Sequence, residues 1–350
     1  MWRERSGLRE QTEGGGSLGN FIFHFRGRRA ETASRKQEKS EYRKAGVYGG
    51  SRLSRKARRK LLVYGIILGV WVLLAVLVPL FWPFSYSEQN GDIRNQAFSL
   101  THWFGTDRFG RDLFARVWYG AGISLLVGIS STLINGILGI LVGAFSGWLG
   151  GAADMVLMRI GDVISSIPSM IYVILIMLAA GSGPGSIILG LCVAGWVDMA
   201  RIVRGEILRL KETDYACAAK MEGLSSMRIL FRHLLPNAAG PILVNLIFLI
   251  PQAIFTESFL SFLGVGIAAP VASLGTIIQE ARSQMVLYPW QMACPLVVLC
   301  VMLLCLNAVG SVLEDQTGSA GGNRTLYHRD RIPAEKSRPA GRMTEGRGSK

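Results

Sequence analysis

The residues with the greatest potential for chemistry are scattered along this chain of 350 residues. The sequence has no GxxxxGKS or GxxxxGKT phosphate loop, so the chain should not hydrolyse ATP itself. It has no HExxH motif, its five cysteines show no CxxC spacing, and its four histidines form no ligand set. We therefore predict that the chain is not an enzyme, that it holds no metal ion, and that it binds no cofactor of its own.

Two carboxylates, Asp162 and Asp198, lie within or close to apolar blocks of the sequence. An ionisable side chain in a membrane is costly, so it usually has a partner or a function. The candidate partners are Arg159, Arg201 and Arg204. Structural ion pairs near the ends of helices are the favoured interpretation, and a role in a transport pathway stays open.

A second set of polar residues could form an outer gate or a substrate path. Asp107, Arg111 and Asp112 follow Gly105 in a polar segment, where they would offer contacts to a partner outside the membrane. Glu257 lies toward the outer end of a later apolar block. We predict that these five residues accept substrate or control its passage.

The elements that must carry these residues are transmembrane helices. Hydrophobic residues make up 50% of the chain and charged residues 18%, whereas a soluble domain has about 25% charged residues. The apolar residues fall in blocks of about 18 residues or more, long enough to cross a bilayer. The spans are predicted at residues 61–81, 122–147, 161–181, 186–203, 240–263 and 291–313. The fold class is therefore an all-α integral membrane protein with about six transmembrane helices.

The second predicted span contains a run of regularly spaced glycines. Gly139 and Gly143 form one GxxxG pair, and Gly143 and Gly147 form another. Such spacing lets a neighbouring helix approach closely in lipid, although it is common in apolar helices.

The charge distribution predicts the orientation of the chain. Residues 1–60 contain 17 Lys and Arg against 6 Glu, and residues 201–235 contain seven Lys and Arg, whereas Arg282 is the one basic residue in 264–290. Because basic loops stay in the cytoplasm, and an even number of spans returns the chain to the same side, both termini should be cytoplasmic. The predicted domains are a basic, disordered tail (1–60), a membrane domain (61–313) and a polar tail (314–350).

The long basic loop 204–236 contains the pattern of a short surface helix. Asp214 suits the N-cap or the first turn, and Gly223 suits the end of the helix. Pro236 should break the chain before the fifth span. The predicted exposed face consists of Tyr215, Ala218, Ala219 and Glu222. Small residues on that face would let another protein approach closely, but a solvated loop helix with no partner fits the same pattern.

The motifs of the chain resemble those of binding-protein-dependent ABC permeases. Ala218-Ala219, Gly223 and Leu235-Pro236 resemble the EAA loop of that family. Further segments resemble its dipeptide and oligopeptide branch, namely 102–113, 120–128, 195–206, 215–220 with 232–237, and 257–266. The match runs in order from Leu61 to Leu313, and within the branch it is closest to the second, C-type permease subunit.

This resemblance implies a type I ABC importer permease in the bacterial inner membrane, working by alternating access. Its partners would be a homologous permease subunit, two cytoplasmic ATPases that bind ATP and Mg²⁺, and an extracytoplasmic binding protein. Apart from membrane lipid, no other partner is implied, and nucleic acid is not expected. The implied substrates are short peptides, while related systems carry nickel or other small solutes.

The resemblance also implies an ATPase-coupling loop, whose residues here are Asp214, Tyr215, Cys217, Ala218, Ala219, Glu222, Gly223, Arg228 and Pro236. Cys217 stands where the family usually has a glutamate. The missing carboxylate removes a charged contact to the ATPase, for which Glu222 could partly substitute.

Three other classes of protein remain as alternatives. An ion-coupled secondary transporter would need paired carboxylates at the membrane midplane or broken helices, which are not evident in the sequence. A membrane enzyme would need a catalytic set. A scaffold that binds nucleic acid or anionic lipid through its basic tail would depend on residues 1–50.

Overall fold

The computed structural model describes residues 55–329, with side chains as far as Gln316. Within that range all regular elements are helices, joined by turns and irregular segments, and there is one isolated β-bridge between Thr106 and Asp112. The predictions for residues 1–54 and 330–350 lie outside the described residues. In chain order the α-helices are α1 (Arg55–Phe81), α2 (Leu113–Leu149), α3 (Gly151–Ser165), α4 (Ser169–Ala180), α5 (Pro184–Lys211), α6 (Asp214–Met221), α7 (Ser226–Ile229), α8 (Leu235–Phe262), α9 (Leu274–Arg282) and α10 (Trp290–Arg329).

Five helical segments are long and apolar enough to cross a membrane, and one bent pair of helices could supply a sixth span. The five are α1, α2, α5, the continuous helical stretch Ser226–Phe262 that ends with α8, and α10 as far as Gln316. The bent pair is α3 and α4, whose axes differ by 73°. This confirms the predicted all-helical protein with about six spans.

Besides the bent pair, five helices extend beyond the predicted spans, among them α8, which begins at Leu235 and not at residue 240. α1 begins at Arg55 and not at residue 61, and α2 begins at Leu113 and not at residue 122. α5 continues to Lys211, and α10 continues to Arg329 into the predicted polar tail. Hydropathy marks the part of a helix that suits lipid, whereas Arg, Lys and Glu are good helix formers that prolong a helix into water.

The third predicted span is wrong as a single helix. α3 already includes Asp154 and Arg159, where a turn was expected, and the helix then breaks between Ser165 and Ser169. Pro168 explains the break, because proline lacks an N–H and disfavours helical backbone in the residue before it. A broken helix pair is therefore present, contrary to the sequence-based expectation that none is evident.

The glycine run of α2 forms the contact with α5. Gly139, Gly143 and Gly147 are all buried. A Cβ atom on Gly143 would lie 2.3 Å from the carbonyl oxygen of Ala200, so only glycine allows this approach. The predicted close helix–helix contact is confirmed, and it fixes the position of α5 against the centre of the bundle.

α2 is the long central element of the bundle, about 55 Å from end to end at 1.5 Å per residue. α9 packs against its beginning, in an apolar cluster that includes Val117, Trp118 and Ile277. α6 packs against its other end, in a cluster that includes Ala144 and Trp148. The two groups of predicted site residues therefore lie at opposite ends of the bundle.

Candidate functional sites

The short helix α6 is defined by its own sequence at both ends. Asp214 lies in its first turn, where a carboxylate is favourable at the positive end of the helix dipole. Gly223 has a φ angle of +76°, and its N–H donates to the carbonyl oxygen of Lys220 at 3.0 Å. The N–H of Leu224 donates to the carbonyl oxygen of Ala219 at 3.3 Å, which completes a Schellman motif. The predicted beginning and end of this helix are confirmed.

The predicted exposed face of α6 is divided in the structure. Tyr215, Ala218 and Glu222 are exposed, as is Cys217. Ala219, however, is only 7% exposed and packs into the bundle with Ala216. Residues three apart lie on the same side of a helix, so Ala216 and Ala219 form the buried stripe of α6, and the prediction that Ala219 is exposed is wrong.

The chain does not break at Pro236. Exposed Arg228 lies in α7, which continues through a π-helical turn at Leu230–Leu234 directly into α8. In this turn the N–H of Leu235 donates to the carbonyl oxygen of Leu230, five residues earlier. The wider turn accommodates the proline ring, which would collide with a carbonyl in a regular α-helix. The predicted break is wrong for this reason.

The carboxylates near the end of α5 form surface ion pairs. Arg201 contacts Asp162 at 3.1 Å and Asp198 at 3.2 Å, and all three side chains are about half exposed or more. Arg204 binds Asp154 instead, through Nε at 2.5 Å and Nη2 at 2.6 Å. The structural ion-pair interpretation is therefore confirmed for Asp162 and Asp198, with Arg201 as their shared partner.

At the opposite end of the bundle, the polar residues expected to contact a partner form a buried charge cluster. The Nε atom of Arg111 lies 2.6 Å from Asp107, and its guanidinium also binds Glu280 in α9. Arg116 at the start of α2 binds the same Glu280 at 3.0 Å. Asp107 and Arg111 are each 7% exposed. The prediction that their side chains are open polar contacts is wrong, because they are occupied in joining α2 to α9.

Asp112 and Gly105 organise the beginning of α2. Asp112 is the N-cap, and its Oδ1 atom accepts from the backbone N–H of Ala115 at 2.7 Å. Its Oδ2 atom lies 2.7 Å from Nδ1 of His102. The carbonyl oxygen of Gly105 accepts from the N–H of Leu113 at 3.1 Å. Both residues are buried, so they act here in the local fold and not at an open surface.

Glu257 lies fully buried in α8, with 0% exposure. Its Oε2 atom accepts from the hydroxyls of Ser124 in α2 at 2.8 Å and Ser258 at 3.1 Å. Its Oε1 atom accepts from the hydroxyl of Ser261 at 2.9 Å. The carboxylate is therefore enclosed by hydroxyl groups that link α2 to α8, and in this conformation it does not face an open path.

In the described part of the chain, side chains that bind metal ions are not clustered. Within residues 55–316, His, Cys, Asp and Glu side chains do not come together in groups of three or more that could hold an ion.

Residues 139–317, which contain α6, the π-helical turn and Glu257, match the family described as the inner membrane component of binding-protein-dependent transport systems. The chain belongs to this family. It is therefore a multi-pass membrane protein, the permease component of a binding-protein-dependent ABC importer.

Individual proteins that resemble this chain match it over most of its length. The oligopeptide transport system permease protein OppC of Bacillus subtilis is 38% identical over 278 residues, covering 79% of this chain and 91% of the relative. The dipeptide transport system permease protein DppC of the same organism is 40% identical over 263 residues, covering 75% and 82%. OppC of Escherichia coli is 36% identical over 288 residues, covering 82% and 95%.

A solved structure of the MetNI methionine ABC transporter, in inward-facing conformations, is more distantly similar. It is 18% identical, with a TM-score of 0.48, and the alignment covers 56% of this chain and 94% of that chain. This likeness is too distant to bear on the function of the permease.

Sequence reasoning missed several residues that position the sites of this permease. Glu280 and Arg116 complete the buried charge cluster, but Glu280 lies more than 160 residues along the chain from its arginine partners. Trp148 packs behind α6, and the only signal for it was an aromatic residue at the end of an apolar block. These contacts depend on which helices are neighbours, which the spacing of residues does not reveal.

Proposed function

We propose that this chain is the second permease subunit of an ATP-driven importer of short peptides in the bacterial inner membrane. Support comes from the OppC and DppC relatives, which are 36–40% identical over most of the chain. The proposed partners are a homologous first permease, two cytoplasmic ATPases and an extracytoplasmic binding protein. ATP and Mg²⁺ would bind to the ATPases, and both termini of this chain would be cytoplasmic.

The main support for an ATPase-binding site on this chain is the exposed side of α6. Tyr215 is 41% exposed and Met221 is 83% exposed, although this helix lies outside the segments that suit lipid. Exposed apolar residues that lie together mark protein interaction sites, and we propose that these two, on one short helix, belong to such a site. The small side chain of Ala218 and the carboxylate of Glu222 complete a surface that fits a groove on an ATPase.

The covalent neighbours of α6 supply a route for movement. α6 follows α5 after two residues, and it precedes the continuous helical stretch that leads into α8. When ATP closes the two ATPases, α6 would move with them and tilt α5 and α8. The path would then open outward to receive substrate from the binding protein, and the return movement would deliver it inward.

The native residue Cys217 offers a direct test of this docking surface. Its side chain is exposed in the described chain. In inverted membrane vesicles, a membrane-impermeant maleimide should label Cys217 when the two permeases are produced without ATPases. Co-production of the ATPases should protect Cys217 severalfold, because they would cover α6.

The control for orientation is the variant Ser87→Cys, at an exposed position, in a Cys217→Ser background. It should react in right-side-out vesicles and not in inverted ones, whether or not ATPases are present. Equal labelling of Cys217 with and without ATPases would contradict the docking proposal. Labelling of Cys217 only in right-side-out vesicles would contradict the proposed orientation.

The substrate class is tested with the complete importer. Proteoliposomes containing it, supplied with its binding protein and ATP, should accumulate labelled di- and tripeptides. Accumulation of Ni²⁺ with no peptide uptake would assign the same machinery to nickel instead.

A further inference from the structure

Trp148 lies at the end of α2, directly behind α6. Its side chain is 8% exposed and belongs to the same apolar cluster as Ala216 and Ala219, the buried stripe of α6. Trp148 is therefore one of the large side chains in the apolar cluster that covers the two small residues of α6. A helix that buries only alanines has little apolar surface of its own to hold it in place.

Two lysines contact this tryptophan, one just before α6 and one in its last turn. Lys211 is the last residue of α5, and its Nζ atom donates to the backbone carbonyl oxygen of Trp148 at 2.6 Å. The same Nζ atom lies 5.5 Å from the centre of the Trp148 ring. Lys220 lies in the last turn of α6, and its Nζ atom is 5.4 Å from that ring. Both distances lie within the range of a cation–π interaction, for which tryptophan is the best partner.

We propose that Trp148, Lys211 and Lys220 form a clamp that ties α6 to α2. The proposal rests on the function given above, in which α6 receives movement from an ATPase. Without the clamp, α6 is joined to the bundle by its chain connections to α5 and α7 and by two buried methyl groups. With the clamp, α6 and the end of α2 move together, so the movement reaches the central helix of the bundle as well as α5 and α8. The three residues are positioning residues for coupling.

Two simpler roles must be distinguished from the clamp. Trp148 could serve only as core packing, and Lys220, which is exposed, could serve only as a contact to the ATPase. In either case the effects of changing the two residues would be independent. In the clamp they are not independent, because each residue acts through the other, and a double-mutant cycle detects that difference.

The experiment compares variants of the complete importer in proteoliposomes, with its binding protein present. The quantity measured is the number of peptides transported per ATP hydrolysed. Trp148→Leu keeps the apolar volume and removes the aromatic ring, and Lys220→Gln removes the charge. Lys220→Gln should lower the ratio about threefold, the size expected for an exposed cation–π interaction. Trp148→Leu should lower it at least as much, because it also removes the ring beside Lys211. The double variant should show the loss of Trp148→Leu alone and not the product of the two losses. Lys220→Arg should restore the ratio, because arginine keeps the interaction.

The control variant is Lys56→Gln, which removes an exposed lysine in α1 and should leave the ratio unchanged. If Trp148→Leu lowers the amount of folded protein, Trp148→Phe replaces it, since phenylalanine keeps a weaker ring. A wild-type ratio in Lys220→Gln, or multiplied losses in the double variant, would overturn the clamp while the importer still assembles and transports. Failure of the unaltered chain to bind ATPases would instead overturn the proposed function.

Discussion

Four charged residues at the beginning of α2 and in α9 bind one another. Asp107, Arg111, Arg116 and the partly buried Glu280 form a cluster in which each charge has a partner of opposite sign. Removing one member of a buried pair leaves its partner uncompensated, which commonly costs about 3–5 kcal/mol. The cluster therefore makes the attachment of α9 to the start of α2 sensitive to single substitutions.

The contrast between Arg111 and its neighbour Arg108 gives a matched test. Arg111→Glu places a third carboxylate beside Asp107 and Glu280, so it should sharply lower both the amount of folded permease in the membrane and its thermal stability. Arg108→Glu changes an exposed residue that stacks on Phe109 at 4.6 Å and forms no ion pair with the cluster, so it should lower both far less. The measurement is fluorescence-detected size-exclusion chromatography of detergent extracts after heating. Equal amounts and equal midpoints for the two variants would contradict the cluster.

Glu257 is a fully buried residue whose carboxylate accepts hydrogen bonds from three serine hydroxyls. In Glu257→Gln, the amide nitrogen donates and cannot accept, so at least one hydroxyl loses its acceptor. We expect a loss of about 1–3 kcal/mol in the free energy of unfolding. Asp198→Asn, at a side chain 69% exposed, is the control and should lose far less.

The same Glu257→Gln variant tests the outer-gate prediction for this residue, which the comparisons leave open. If peptide transport and ATP hydrolysis per folded importer stay at the wild-type level, Glu257 is a structural residue only. If transport falls while the importer still assembles, the carboxylate also acts in the passage of substrate.

Among the elements, α2 and α5 pack so closely that they leave no room for a side chain at Gly143. A side chain at Gly143 would have to displace the backbone of α5, since its Cβ would lie 2.3 Å from the Ala200 carbonyl oxygen. Overpacking of this kind typically costs 1–3 kcal/mol or more. Gly143→Leu should therefore reduce the yield of folded permease severalfold.

Gly65→Leu in α1 is the matched control, because nothing lies within 4 Å of the position of its Cβ. The two variants make the same chemical change inside membrane helices and differ only in the neighbour. Similar yields and similar melting midpoints in the two would show that α2 and α5 do not pack as described.

The ends of a helix were predictable where a residue acts on the backbone next to it. Asp214 and Gly223 mark the two ends of α6, because a first-turn acid and a glycine with positive φ act on their own backbone. Pro168 carried an equally local signal, but the apolar run on both sides of it outweighed that signal and gave a single span. Pro236 led to the opposite error, a predicted break that is not present. The π-helical turn before it accommodates a proline that would break a regular α-helix.

For the whole molecule, the number of spans and the family followed from the sequence, whereas the arrangement of the site residues did not. The exposure of Ala219 depends on which side of α6 meets Trp148, and the burial of Arg111 depends on Glu280 in a helix far along the chain. Such distant contacts are set by helix packing. The sequence therefore assigned Ala219 and Arg111 to the wrong surface and did not reveal Glu280, Arg116 or Trp148, and the functional roles of the named site residues stay predictions.

The two sites lie at opposite ends of α2, with α6 at one end and the charge cluster at the other. In the proposed importer, α6 would receive movement from the ATPases and the far end would meet the binding protein. A chain of this kind does not work alone, and its activity depends on subunits that it must bind.

The most direct test of this account is affinity purification of the detergent-solubilised chain from its native host, followed by mass spectrometry and by transport assays on the recovered complex. The account predicts recovery of a second permease of the same family and of ATPases that carry the GxxxxGKS or GxxxxGKT phosphate loop, with peptide transport that requires ATP. Recovery of the chain alone, able to move solute into liposomes without ATP, would contradict it.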